Sequence, residues 1–548
     1  MNRDLRTNPR FLAMPHVRAA LVTAATLIAS AAAAQTDNSP LAVKEGLCES
    51  TAPLRDSSPQ RWNGWGPKVT NTRFQPAEAG GITVENIPRL RLQWAYGLPR
   101  EQQARGQPSV IGGRLFVGSQ AGAVYALDAK TGCTHWQFFP EAGLRSATSV
   151  GPYELPDGRD GFAVYFVDSQ AHVYALNADT GEQLWRTRVD DHPMVRGTGA
   201  VTLYEGTLFV PMTGIGEAMG GANPEYECCT FRGSMTALDA STGEVRWKTY
   251  TIPKAERRGT SSAGMPLWGP AGVGIWNAPT VDAERGVIYS GTGPAYAGDN
   301  PETTDAVIAF DMRTGEIVWV QQYTLDVWLN NCGEGAVANP NCPANNGPDI
   351  DFSASPILTK NSAGKDVIVI PQKSGMAYAL DPDNRGETLW SYRAGPGGPV
   401  GGVWGSAVED DRMYVAVGGY FNEETGGIHA VDIDTGQRLW YTPPQPLLCS
   451  PPGPGCSPTQ AAAVTAVPGA VFSGSADGGL RAYAADDGEV IWTFDANRTF
   501  ETINGIEARG ASFDGPGPVV AGGMMYVLSG DAGFVGRPGN VLLAFSVE

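Results

Sequence analysis

The most chemically unusual stretch of the chain is Tyr226-Glu227-Cys228-Cys229-Thr230-Phe231-Arg232, where two thiols stand side by side. Consecutive Cα atoms are about 3.8 Å apart across a trans peptide, closer than the roughly 4.4–6.8 Å an ordinary disulfide prefers. Bonded to each other, the two would close a small strained ring and form a stiff, flat, apolar platform. Strain of that kind gathers at functional sites. Taken alone, the doublet leaves open separate partners or two unpaired thiols. There are eight cysteines, and an even number in an exported chain points to full pairing, although spacing does not fix connectivity. Cys332 with Cys342 and Cys449 with Cys456 each close a short loop, which leaves Cys48 for Cys133 and the doublet for itself. None of the five histidines follows a Cys-x-x-Cys, so no c-type haem attachment is encoded, and no Cys/His spacing suits zinc.

The elements that must position this chemistry are copies of one unit. Val124-Tyr125-Ala126-Leu127-Asp128-Ala129-Lys130-Thr131-Gly132 leads to Trp136. The pattern returns before Trp185, Trp247, Trp319, Trp390, Trp440 and Trp492. The short alternating apolar run reads as a strand. Asp-x-x-Thr-Gly reads as a tight turn whose glycine takes positive φ, and the residues up to Trp as the returning strand. Such a hairpin cannot bury its own face, so copies stack as the four-stranded blades of a propeller, with each Trp wedged between neighbours. Seven units are complete. An eighth is split between Val541-Leu542-Leu543-Ala544-Phe545 and Leu92-Gln93-Trp94, which closes the ring. The expected fold is all-β, an eight-bladed β-propeller of four-stranded antiparallel blades.

Trp-to-Trp spacing is near 50 residues for several blades but 62 from Trp185 to Trp247, 72 to Trp319 and 71 to Trp390. The extra residues must enter loops, and long loops carry function. The active face is therefore expected around residues 196–232, 255–300 and 323–355, and the cysteine doublet lies in the first of these.

With 70 Gly, 41 Pro, 42% hydrophobic and 18% charged residues, the composition is that of a turn-rich globular β protein. A formal charge of −18 argues against a nucleic-acid partner. Arg3, Arg6, Arg10 and Arg18 precede an apolar run over residues 19–34, which reads as a secretory signal peptide. That run is short for a membrane span and no comparable one follows. The expected organisation is a signal peptide at 1–34, an N-terminal segment packed on the propeller at 35–88, and the propeller at 89–548.

Together these residues resemble the quinoprotein alcohol dehydrogenases, which use pyrroloquinoline quinone (PQQ) and calcium. The Ala-x-Asp-x-x-Thr-Gly-x-x-x-Trp unit matches that family's tryptophan-docking repeat, and a vicinal cysteine pair is a family hallmark. Within the family, the subfamily acting on polyvinyl alcohol is echoed by five stretches. These are Trp62-Asn63-Gly64-Trp65-Gly66, Glu227-Cys228-Cys229-Thr230-Phe231-Arg232-Gly233, Gly347-Pro348-Asp349-Ile350-Asp351-Phe352, and Asp514-Gly515-Pro516-Gly517-Pro518 with Gly539-Asn540-Val541-Leu542-Leu543-Ala544-Phe545.

The resemblance implies roles for particular residues. Asp326, in Leu325-Asp326-Val327-Trp328, matches the catalytic base that takes the alcohol proton as hydride leaves for the quinone; it is also a candidate calcium ligand. Lys373, in Gln372-Lys373-Ser374-Gly375, matches the cation on the quinone oxygens. Glu217 stands where the family has its calcium-binding Glu, a hard oxygen ligand. Arg145 matches the clamp on a PQQ carboxylate, with Thr198 and Thr213 adding hydroxyl contacts. Trp276 matches the aromatic floor beneath the quinone, with Cys228 and Cys229 as the ceiling and Trp404 in the same cavity. Each has a plain structural alternative as a capping, solvated or packing residue.

Two departures stand out. Gly291-Thr292-Gly293 runs into Pro294-Ala295 where the family has an Asn ligand, so calcium would have to recruit Asp299, Asn300 or Asp326. No cysteine pair sits just before Arg145, as it does in the methanol-type enzymes, so the doublet arrives from the next long loop. The resemblance implies a periplasmic enzyme that oxidises secondary hydroxyls of polyvinyl alcohol to ketones and passes electrons to a separate soluble cytochrome c. The alternatives are a dehydrogenase of small alcohols or polyols, and a non-catalytic propeller such as an outer-membrane assembly scaffold. The last would have no need of Asp326, Lys373, Trp276 and the doublet together.

Overall fold

The computed structural model describes residues 39–547 except 57, 299–300, 334–338, 399–403, 420–423, 454 and 533–535. The signal-peptide reading of 1–34 lies outside the described residues. Eight antiparallel blades form an eight-bladed β-propeller. A representative blade runs Ser109–Ile111, Arg114–Ser119, Ala123–Asp128 and Thr134–Phe138, each strand paired with the next. Its first two strands are buried along their whole length, whereas the fourth alternates, burying Thr134, Trp136 and Phe138. The ring closes as expected from the two chain ends: Arg91–Gly97 pairs with Val541–Ser546, beside Met524–Ser529 and Val519–Ala521. One blade departs from the pattern, because Val195–Arg196 and Thr202–Tyr204 both pair along the long strand Thr207–Gly214.

The repeated Trp joins blade to blade. Trp136 donates its indole N–H to the Ala178 carbonyl at 2.9 Å and lies over Gly181 of the next turn. A Cβ on Gly181 would meet that ring at 2.7 Å, and its φ is +73°, so glycine is required there on two counts. Trp94, Trp185, Trp247, Trp390 and Trp440 make the matching bonds to Lys130, Ala240, Met312, Ile433 and Ala485.

First strands leave one edge unpaired, a liability in any open sheet, and residues 62–75 cover it in seven blades. Trp62 exchanges both backbone bonds with Val110 at 2.8 Å, and Asn63 Oδ1 accepts from Val150 N at 2.7 Å. Val69, Thr70, Thr72 and Arg73 accept from Val281, Leu358, Val408 and Ala466 at 2.9–3.1 Å. The Gln75 amide then donates to the Val520 carbonyl at 2.6 Å. Within this segment Arg73 is fully buried, stacked on Trp62 and Trp65, and bonded to Trp65 O, Gln107 Oε1, Val464 O and Thr465 Oγ1.

All eight cysteines pair, as Cys48–Cys133, Cys228–Cys229, Cys332–Cys342 and Cys449–Cys456. No helix among the described residues is long and apolar enough to cross a membrane.

Candidate active site

Loops between blades enclose a cavity of about 690 Å³. Seven of the residues singled out in the sequence line it: Arg145, Thr198, Thr213, Glu217, Trp276, Lys373 and Trp404. A much smaller space of about 20 Å³ adjoins it, touched by Trp65 of the N-terminal segment and by Arg145, Trp276 and Trp404.

The most densely charged part is a lysine between two carboxylates. Lys373 Nζ is 3.0 and 3.1 Å from the Asp349 oxygens and 2.9 Å from Asp351 Oδ1, and lies 5.0 Å from the centre of the Trp276 ring. Trp276 is fixed in turn by an indole N–H bond of 2.9 Å to Asp351 Oδ2. Burial works against the lysine's charge, but Asp349 and Asp351 outweigh it and hold its pKa above the usual value. Burial pushes Asp349 up to about 8, against the pull of Lys373 and with the help of the Asp351 charge. One cation thus faces two buried carboxylates, and the crowding of negative charge adds to burial in holding Asp349 above the usual carboxylate range. The backbone of Asp349 is left-handed at φ +58°, a conformation few side chains adopt, on a cavity-lining residue.

Beyond Trp276 the lining turns cationic and aromatic. Trp404 meets Trp276 edge-on at 5.2 Å, and the Arg145 guanidinium lies 4.7 Å from the Trp404 ring centre and 5.8 Å from that of Trp276. Trp404 donates to Asp514 Oδ1 at 2.5 Å. Burial, with Arg105 nearby, lowers Arg145 to about 9. Arg196 adds a second guanidinium to the lining. Glu217, on the short helix Gly216–Ala222, is pushed up to about 7 by burial. Arg145 Nε, Thr198 Oγ1 and Glu217 Oε2 are buried with no hydrogen-bond partner among the described residues. Buried polar atoms are nearly always paired, so three unpaired ones on one cavity mark a place fitted to a polar ligand. The two guanidiniums and the indole face suit a flat ligand with anionic groups, whereas Glu217 Oε2 suits a donor or a cation.

Three of the residues singled out in the sequence, Cys228, Cys229 and Asp326, are not among those lining the cavity. Cys228 and Cys229 are joined, through a cis peptide, and are buried at 2% and 0% exposure behind the helix that lines the cavity. The disulfide packs on Gly220, where a Cβ would meet Cys228 Sγ at 2.8 Å and Cys229 Sγ at 3.4 Å. The helix therefore shows Gly220 to the disulfide and Glu217 and Ala218 to the cavity. Its C-terminal carbonyls are held by side chains of the Cys332–Cys342 loop. Asn339 Nδ2 donates to Gly220 O and Gly221 O at 2.9 and 3.0 Å, and Asn341 Nδ2 to Asn223 O at 3.0 Å.

Asp326 is fully buried and outside the lining. Its Oδ2 accepts from Ile350 N at 3.1 Å, which braces the loop that carries Asp349, while its Oδ1 is buried beside Gly347 with no hydrogen-bond partner among the described residues. Burial raises its pKa. Glu217 and Asp326 thus face different surroundings. Asp299 and Asn300 lie outside the described residues, and no group of three or more acidic, His or Cys side chains among the described residues is arranged to hold a metal ion. The described side chains do not build a calcium cage.

Asp349, Asp351 and Asp514 went unassigned in the sequence, although each stands in a stretch that carries the subfamily resemblance. Residue type gave no hint that Tyr296, Arg196, Trp328, Asn330 and Asn331 line the same space.

A family model described as outer membrane protein assembly factor BamB matches residues 88–321, 232–396 and 424–544. The crystal structure of quinohemoprotein alcohol dehydrogenase from Comamonas testosteroni superposes with a TM-score of 0.63 over 90% of this chain and 81% of its own, at 19% identity. A europium-containing methanol dehydrogenase gives 0.64 over 90% and 99%, at 18% identity. At that identity the likeness is one of fold, an eight-bladed propeller. A polyvinylalcohol dehydrogenase from Pseudomonas sp is 43% identical over 511 residues, 90% of this chain and 78% of the relative. Another, from Sphingopyxis sp. (strain 113P3), is 39% identical over 515 residues with the same coverage. The chain belongs to the polyvinylalcohol dehydrogenase family, and so to the oxidoreductases.

Proposed function

We propose that this protein is a periplasmic PQQ-dependent dehydrogenase that oxidises secondary hydroxyls of polyvinyl alcohol to ketones and hands the electrons to a separate soluble cytochrome c. The observation that carries the reading is the meeting, in one cavity, of Trp276, the Lys373 cluster and the unpartnered atoms of Arg145, Thr198 and Glu217. Trp276 would stack on the flat cofactor. Arg145 and Arg196 would hold its carboxylates, and Thr198 and Thr213 would bond its polar edge. Bound PQQ would supply the acceptor for the carbinol hydride.

The chain's own residues do the rest. Asp349 takes the hydroxyl proton, at a pKa of about 8 that matches a base working near neutral pH. Lys373, kept charged by both carboxylates, stabilises negative charge that builds beside it. Asp351 fixes Trp276 and Lys373 together. We assign Asp326 a positioning role through Ile350 N rather than the role of base. No step is routed through calcium, and Glu217 offers a single free oxygen to any ion that enters. Export rests on residues 1–34, and the acidic balance of the chain suits a basic electron acceptor.

The test is reconstitution of the full exported chain with PQQ, with and without calcium, following dye reduction on polyvinyl alcohol and on short primary and secondary alcohols. Turnover of the polymer and of secondary alcohols is expected. Absence of PQQ binding would end the quinoprotein reading, and activity confined to small primary alcohols would end the polymer reading.

A further inference from the structure

One wall of the cavity has no part in the chemistry above. It is formed by the stretch following Asp326, which contributes Trp328, Asn330 and Asn331 to the lining. The backbone of this stretch is tied from Val327 to Asn330. Val327 bridges to Ala295 and accepts from Gly347 N at 2.9 Å; Trp328 N donates to Ala295 O at 2.8 Å. Leu329 N donates to Asn346 Oδ1 at 2.8 Å, and Asn330 N to Glu217 O at 3.3 Å.

The side chains on this rigid edge are not tied. The carboxamides of Asn330 and Asn331 and the indole N–H of Trp328 have no hydrogen-bond partner among the described residues. Trp328 and Asn330 are half-buried, and Asn331 is exposed at a left-handed φ of +59°. A fixed backbone that presents accessible polar groups without protein partners beside an aromatic face is preorganised for binding, because little backbone ordering entropy remains to be lost. Each carboxamide offers two donors and an acceptor, which suits hydroxyl groups that both donate and accept. The indole offers apolar area to the carbons between them. Residues 327–331 include no ionisable side chain, so the edge has no charged group to pair with a charged ligand.

The geometry points to a chain-binding subsite: Trp328, Asn330 and Asn331 bind the neighbouring hydroxyls and carbons of an acyclic polyol beside the hydroxyl being oxidised. The assignment rests on the reading that this cavity oxidises such a chain, and it makes these three residues determinants of specificity for repeated hydroxyls.

The experiment separates the subsite from that reading. Calorimetric titration of the full chain without PQQ, using an oligomer of vinyl alcohol, should show binding that weakens about tenfold in N330A/N331A, the size of one or two lost hydrogen bonds. Trp328→Leu should weaken it as well. In the PQQ-loaded enzyme, the ratio of kcat/KM for pentane-2,4-diol to that for butan-2-ol should fall about tenfold in the double variant. Absence of oligomer binding, unchanged affinity in N330A/N331A, or equally tight binding of a cyclic disaccharide would overturn the subsite. Should PQQ fail to support turnover while the oligomer still binds and the variant still loses it, the dehydrogenase reading falls and the subsite stands.

Discussion

Residues 62–75 and the cavity are both built against the ends of the same blades, and they treat polar groups in opposite ways. In the N-terminal segment the buried Arg73 spends its donors on four acceptors, and the backbone bonds run from blade to blade. On the cavity, Arg145 Nε, Thr198 Oγ1 and Glu217 Oε2 are buried without partners among the described residues. Satisfied polar groups rigidify a fold, whereas unsatisfied ones cost stability unless a ligand meets them. The contrast separates a region that holds the ring together from one that is kept ready for a ligand.

That contrast can be broken by substitution. Arg73→Ala should cost about 3–5 kcal/mol in denaturant unfolding, since it removes a large buried side chain and strands its acceptors, while folded molecules should bind PQQ normally. Arg145→Ala should do the reverse. It should weaken PQQ binding about tenfold to a hundredfold, as loss of a charged hydrogen bond does, with little effect on unfolding. If the two variants had similar profiles, the distinction would fail.

A pH profile sharpens the same division inside the cavity. Asp349 must be ionised to accept a proton, and its pKa is raised to about 8. The rate should therefore climb about tenfold per pH unit below that value and level off above it. An acid limb near pH 4 would remove Asp349 as the base. The smallest effect is expected from Asn341→Ala, which releases one brace of the Glu217 helix and should lower stability by about 1 kcal/mol.

Much of the fold was legible because it is written as a period. The recurring Asp-x-x-Thr-Gly and Trp gave the blade count, and the split unit gave the closure. The cysteine pairs were legible from short loops and from what remained. The course of residues 62–75 was not, because their contacts to seven blades run mainly through backbone groups, which leave no pattern in side-chain type. The site was partly legible. Lys373, Trp276 and Arg145 lie next to repeat strands whose direction the pattern fixes. Asp326 and the cysteine doublet lie in long insertions, where long-range contacts with Ile350, Gly347 and Gly220 decide which way a side chain faces. The same holds for Asp349, which reaches Lys373 only because its loop folds back on it.

The central claim is that Asp349, held by Lys373, is the base, and that Asp326 supports it from behind. PQQ-loaded wild type, Asp349→Asn and Asp326→Asn, assayed side by side for turnover of a secondary alcohol and for bound PQQ by visible absorbance, test it most directly. The account predicts that Asp349→Asn loses activity about a thousandfold with PQQ retained, and that Asp326→Asn loses about tenfold through a loosened loop, one lost hydrogen bond's worth. The opposite order, with Asp326→Asn inactive and Asp349→Asn near wild type, would contradict it.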